Sequence, residues 1–237
     1  MEFLYLLSLI FIYSLVQSIF GIGLLVFGTP TLLLLDYSYS EALWILIPPS
    51  IALSFSQIIF SRHLISSGKE IYLFIIPPLM VSLVFIIQMD YVFDIKKIIG
   101  VFLLLVVLLR TNSFSEKVLR NIVRNYKRLS YSLIGFIHGV SNLGGGPLSA
   151  MMSILHDDKD KVRANIAFVY FVLALSQLLV LFLIDKNSIG LQSIAFIIAA
   201  VTVNMLFGKH LSESIDKKRY DIFINAIVVF FAFICLI

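Results

Sequence analysis

The chain has 237 residues, 60% hydrophobic and only 14% charged, with a mean hydropathy of +1.02. Soluble domains hold about 45–50% apolar residues, so this composition excludes one and indicates a polytopic membrane protein. The net charge of +4 does not point to nucleic acid, because the basic residues lie in short loops between apolar runs. The single cysteine, Cys235, excludes an intramolecular disulfide and a cysteine-based metal site. The start, apolar at once and without a basic leader region, reads as a retained membrane segment.

Residues 2–35 are almost uncharged. One straight helix of that length would measure about 50 Å at 1.5 Å per residue, against a hydrocarbon core of about 30 Å. Gly21, Gly23, Gly28 and Pro30 therefore predict two shorter helices with a break around Gly21–Pro30. A polar turn follows at 36–41. The next apolar segments are 42–61, with Pro48-Pro49 inside, and 71–89, with Pro77-Pro78 inside. A loop at 90–97 leads to a segment at 98–109. Residues 110–128 form the most polar stretch and read as a basic linker or an amphipathic surface helix. Four more apolar segments follow at 131–155, 164–184, 189–207 and 222–237.

The stretch 131–155 is the one to which the rest is keyed. Its apolar run is interrupted by Asn142 and then Gly144-Gly145-Gly146-Pro147, a combination that breaks helices. Pro147 suits the first position of a new helix. At membrane depth, broken backbone is tolerated only where protein or a water-filled cavity satisfies it. The amides at the head of the new helix favour an anion; a tight packing loop is the competing reading. The two halves also echo each other. Ser14 to Gly21 aligns on Ser132 to Gly139, Gly28-Thr29-Pro30 falls near Gly145-Gly146-Pro147, and Ser56-Gln57 falls on Ser176-Gln177. Paired interrupted segments are the sequence pointer to a transporter's substrate site.

Lys and Arg concentrate in cytoplasmic loops. If all eight segments cross fully, the two sides carry equal numbers of basic residues. If the two broken segments instead dip in and return, with the N-terminus outside, only Lys96, Lys97 and Lys186 of the 18 fall outside. The fold expected is thus an all-α polytopic membrane protein with two inverted repeats. Each is a glycine-broken re-entrant helical hairpin plus three transmembrane helices. The first repeat covers 1–110, a basic cytoplasmic linker 111–129 and the second repeat 130–237.

The motif Gly139 to Pro147, its weaker echo from Gly21 to Pro30 and the four-plus-four layout resemble the sulfite exporter TauE/SafE family of membrane transporters. The first repeat departs from the family's glycine-rich pattern at Leu24 and Leu25. The resemblance implies a multi-pass protein of the cytoplasmic membrane, not an enzyme. It would move a small sulfur-containing anion, sulfite or an organosulfonate, by alternating access. An anion channel, or a carrier for a non-sulfur organic anion, is the alternative. The partners expected are the anion, the bilayer, a coupling proton or sodium ion and a second copy of the chain, with no nucleic acid, cofactor or metal.

Gly144, Gly145 and Gly146 let amides approach an oxyanion, with Asn142 as a side-chain donor and Ser141 as a hydroxyl. Helix capping is the other reading of Asn142 and Ser141. Thr29 beside Gly28 offers the same in the first half. Gln57 and Gln177 lie mid-segment and belong either to the central site or to interhelical glue, the role expected of Asn204. His138 stands as a proton relay, as a help in holding an anion, or as a packed, hydrogen-bonded residue. Arg163 stands as an interface anchor or anion gate, with Asn165 near it. Gly135 and Gly139 read as a close-packing face. An intramembrane hydrolase on Ser141 and His138 is disfavoured, since residues three apart on one helix seldom give a nucleophile its oriented base.

Overall fold

The computed structural model describes residues 2–66, 68–89, 97, 99–102, 104, 120–185, 190–214, 229 and 233, and among these it is all helical with turns. Helix α1 is Glu2–Phe20. It is uncharged after its first residue and ends because Gly21 adopts a left-handed φ of 76°. Helix α2, Leu24–Leu34, starts immediately after the break and runs through Pro30. Helix α3, Tyr39–Ser61, begins with a reciprocal cap in which Ser38 accepts from the Glu41 amide while the Glu41 carboxylate accepts from Ser38. It continues through Pro48-Pro49 into a short 3₁₀ turn, Arg62–Leu64. Helices α4, Glu70–Phe74, and α5, Ile76–Gln88, are separated at Ile75, just before Pro77-Pro78.

In the second half, α6 is Lys127–Ser141 and ends at Asn142, whose φ is 62°. Helix α7 is Gly145–Leu155. Helix α8 is Lys159–Ile184, capped by the Asp158 carboxylate accepting from the Lys161 amide at 2.8 Å. Helix α9 is Gln192–Ser214. Three expectations shift. The linker's last residues belong to α6. The charged residues 159–163, expected in a loop, form the opening turns of α8 because Asp158 caps there. Pro147 is the third residue of α7, still within the turn whose amides lack intrahelical partners. Residues 90–96 of the loop, 111–119 of the linker and most of the segments 98–109 and 222–237 lie outside the described residues.

Glu2–Phe20, Tyr39–Leu64, Glu70–Gln88 and Lys159–Ile184 are long and apolar enough to cross a membrane. Helices α3 and α8 pack side by side at the centre, with α2 laid on α3 and α7 on α8. Each half lends its first helix to the other: α1 packs against α9, and α6 against α5. Lipid tails give helices no hydrophobic reason to associate, so close approach of small residues does much of the holding. A Cβ on Gly135 would strike the Ile75 carbonyl, and one on Gly139 the Ser82 hydroxyl. Large apolar side chains such as Val81, Leu183 and Leu191 point outward, which suits a lipid surround.

Polar contacts gather at two opposite ends. At one end Tyr37 donates to Glu2, while Ser40 and the Trp44 indole donate to Asp185. At the other, Glu70 pairs with Lys127 at 2.8 Å, and the Ser66 hydroxyl meets His156 and Asn165. The start of α1 and the turn after α2 therefore share the first end. The start of α6 and the end of α7 share the second.

Candidate functional site

The two helix breaks are built alike. At the first, the Gly21 amide donates to the Gln17 carbonyl at 2.8 Å, and the Phe27 amide to Gly23 at 2.9 Å. At the second, the Asn142 amide donates to the His138 carbonyl at 2.8 Å, and the Leu148 amide to Gly144 at 3.0 Å. Gly21 thus stands opposite Asn142, Gly23 opposite Gly144, and Gln17 opposite His138. The alignment of Ser14–Gly21 on Ser132–Gly139 is displaced by a few residues from this correspondence. Gly28-Thr29-Pro30 lies inside α2, while Gly144-Gly145-Gly146 opens α7.

The breaks meet. Asn142 donates through Nδ2 to the Thr29 hydroxyl at 2.8 Å and accepts through Oδ1 from Gln177 Nε2 at 3.2 Å. One side chain so ties α6, α2 and α8 together. Asn142, Thr29, Gln177, Gly144 and Gly145 are all buried. A Cβ on Gly145 would collide with the Tyr170 hydroxyl and lie 2.8 Å from Val26 Cγ2. His138 is fully buried, edge-on to Tyr170 with ring centroids 5.8 Å apart. The Gln177 amide lies beside the His138 ring, yet neither ring nitrogen completes a hydrogen bond among the described residues. The Gln177 Oε1 is likewise unpartnered among them.

The N-cap residue of α7, Gly144, has no side chain with which to cap it, and no backbone carbonyl accepts from Gly145 or Gly146 among the described residues. The buried Gly145 amide and the half-buried Gly146 amide are thus left without an acceptor at a helix N-terminus, where the dipole amounts to about half a positive charge. The polar side chains around them, Asn142, His138, Tyr170 and Gln177, are amides, an imidazole and a phenol. The arrangement can hold a small anion by hydrogen bonds without any formal positive charge at hand.

The other expected residues lie elsewhere. Ser141 donates to the Ile137 carbonyl and accepts from the Leu143 amide, so its hydroxyl is used by its own helix end. Gly28 sits within α2 against Leu46, where a Cβ would come 2.7 Å from Cδ2. Gln57 belongs to the first break, donating to the Gln17 carbonyl at 3.3 Å. Arg163 binds the Ser18 carbonyl at 2.6 Å near the end of α1. Asn165 latches the far-end loop, accepting from the Ser66 amide and donating to Leu64. Asn204 donates to Ser56 between α9 and α3. Sequence reasoning passed over Gln17 and Tyr170. Gln17 is a lone amide four residues before a glycine break, a readable signal. Tyr170 lies two turns before Gln177 on α8, which is visible only once Gln177 is placed.

These features describe a helical membrane protein with paired broken helices. A family model described as sulfite exporter TauE/SafE matches residues 6–234, and the chain belongs to that family. No curated protein and no solved structure matches it.

Proposed function

We propose that the chain is a secondary transporter carrying a small anion, sulfite or an organosulfonate, across the cytoplasmic membrane by alternating access. Membership of an exporter family supports the class. The observation that carries the reading is the head of α7, where the Gly145 and Gly146 amides have no backbone acceptor among the described residues and His138 and Tyr170 lie against Gly144 and Gly145. The anion binds there, beside Thr29, Asn142 and Gln177. Neutral donors and a helix dipole hold it weakly enough for release, which a carrier needs.

The two halves, 1–110 and 130–237, act as inverted repeats joined by the cytoplasmic linker 111–129. Three features support this: the matched backbone of the breaks, the reciprocal packing of α1 on α9 and α6 on α5, and the return of each broken pair to its starting end. Helix α2 has 11 residues, about 16 Å at 1.5 Å per residue, and spans only part of a core of about 30 Å. That length suits a re-entrant hairpin. Rocking one repeat on the other exposes the site alternately, and a proton or sodium ion supplies the coupling.

The test is saturable flux of labelled sulfite in proteoliposomes, with ethanesulfonate and a carboxylate as competitors. Gly145→Leu, which drives a side chain into Tyr170 and Val26, abolishes flux while the protein still inserts and purifies as a single species. Flux at the wild-type rate would refute the reading, and flux that never saturates would make the protein a channel.

A further inference from the structure

We propose that the two breaks are unequal: only at the second is the side chain that precedes the break left without a completed hydrogen bond, and that side chain, His138, holds a small oxyanion there through a ring N–H. The proposal rests on the transport reading and names the residue that makes its site one-ended.

Gln17 and His138 occupy the same place, each four residues before the left-handed residue that ends its helix. At the first break, Gln17 Oε1 accepts from the Leu24 amide at 3.1 Å, and Nε2 donates to Ser54 at 3.3 Å. The first amide of α2 is thus capped by the protein's own side chain, and an anion there would have to displace it. Gln57 closes the region further by donating to the Gln17 carbonyl. At the second break the equivalent side chain does no such thing. The imidazole lies against Gly144, where a Cβ would stand 3.0 Å from Nδ1, and it forms no bond to the α7 amides. It is fully buried, with both ring nitrogens unpartnered among the described residues.

Leaving a buried donor unmade is expensive. A fully buried imidazole with no completed hydrogen bond, although the Gln177 amide lies beside it, at the same helix head as the Gly145 and Gly146 amides, offers a place that another molecule completes. A neutral imidazole has one N–H to give. With Gly145 and Gly146 it would offer a small oxyanion three donors, and at Gly144, against which the ring lies, no side chain stands between. A glutamine at this position would instead repeat the first break and seal the helix end.

The experiment uses the full chain in lipid nanodiscs, with sulfite and ethanesulfonate as probes and thermal unfolding as a ligand-free readout. His138→Gln is expected to lower affinity by at least about tenfold, the weight of one hydrogen bond to a charged group. Without ligand its melting temperature rises by about 2 °C, because the new amide caps α7. His138→Ala loses affinity about as much, with no gain in melting temperature. Gln17→Met leaves affinity within about twofold, since the first break binds no anion, and melts lower as its cap is lost. Wild-type affinity in His138→Gln overturns the proposal. So does an affinity loss in Gln17→Met as large as that in His138→Ala. Should His138→Gln fail to assemble, unchanged affinity in His138→Ala overturns it alone. If the wild-type chain binds neither probe, the transport reading falls. The rise in the ligand-free melting temperature of His138→Gln still decides whether the α7 head is open.

Discussion

Asn142 combines two demands on one residue: a left-handed backbone and two buried side-chain hydrogen bonds. Asparagine meets both, since its short side chain tolerates that conformation and its amide both donates and accepts. The demands can be separated by substitution. Asn142→Gly loses the bonds to Thr29 and Gln177 but keeps the backbone at ease, whereas Asn142→Ala loses the same bonds and adds strain of about 1–2 kcal/mol. Thermal unfolding in detergent should therefore rank wild type above Asn142→Gly, and Asn142→Gly above Asn142→Ala by a few degrees. The reverse order would mean that the turn, and not the amide, is dispensable.

At the level of elements, the α5–α6 contact depends on the absence of side chains at two positions. Gly135 rides over the Ile75 carbonyl and Gly139 over Ser82 and Leu79. Gly139→Ala is expected to push α6 outward and lower the melting temperature clearly, while Gly68→Ala, with nothing within 4 Å of the added carbon, leaves it unchanged. Equal melting of the two variants would show that α6 is held by other contacts. This small-residue face was legible in the spacing of Gly135 and Gly139, and the second break was legible in Gly144-Gly145-Gly146-Pro147. The register between the halves was not. A left-handed turn accepts glycine or asparagine, so Gly21 and Asn142 do the same backbone work without looking alike. Matching letters paired Gly21 with Gly139 instead. Thr29 was singled out for a position at a tip, but it reaches Asn142 from within α2, a contact that depends on how the halves dock.

For the whole molecule, charge and structure bear on the same arrangement. Fifteen of the 18 basic residues fall on one side if each broken pair returns to its starting end, and the polar contacts of the described residues gather at two such ends. On a Cys235→Ser background, Ser38→Cys should react with a membrane-impermeant maleimide in intact cells, and Lys159→Cys only after permeabilisation. Labelling of both from outside would break the inverted arrangement. The lending of first helices has a further consequence, for how the chain is made. Helix α1 is made before α2 to α8, and its cover, α9, after them: Phe3 stacks on Phe196, their ring centroids 5.8 Å apart. The buried Ser14 and Ser18 of α1 must wait in the bilayer until α9 is made. A chain stalled midway would leave them facing lipid, a mark by which quality control can tell an unfinished copy from a finished one.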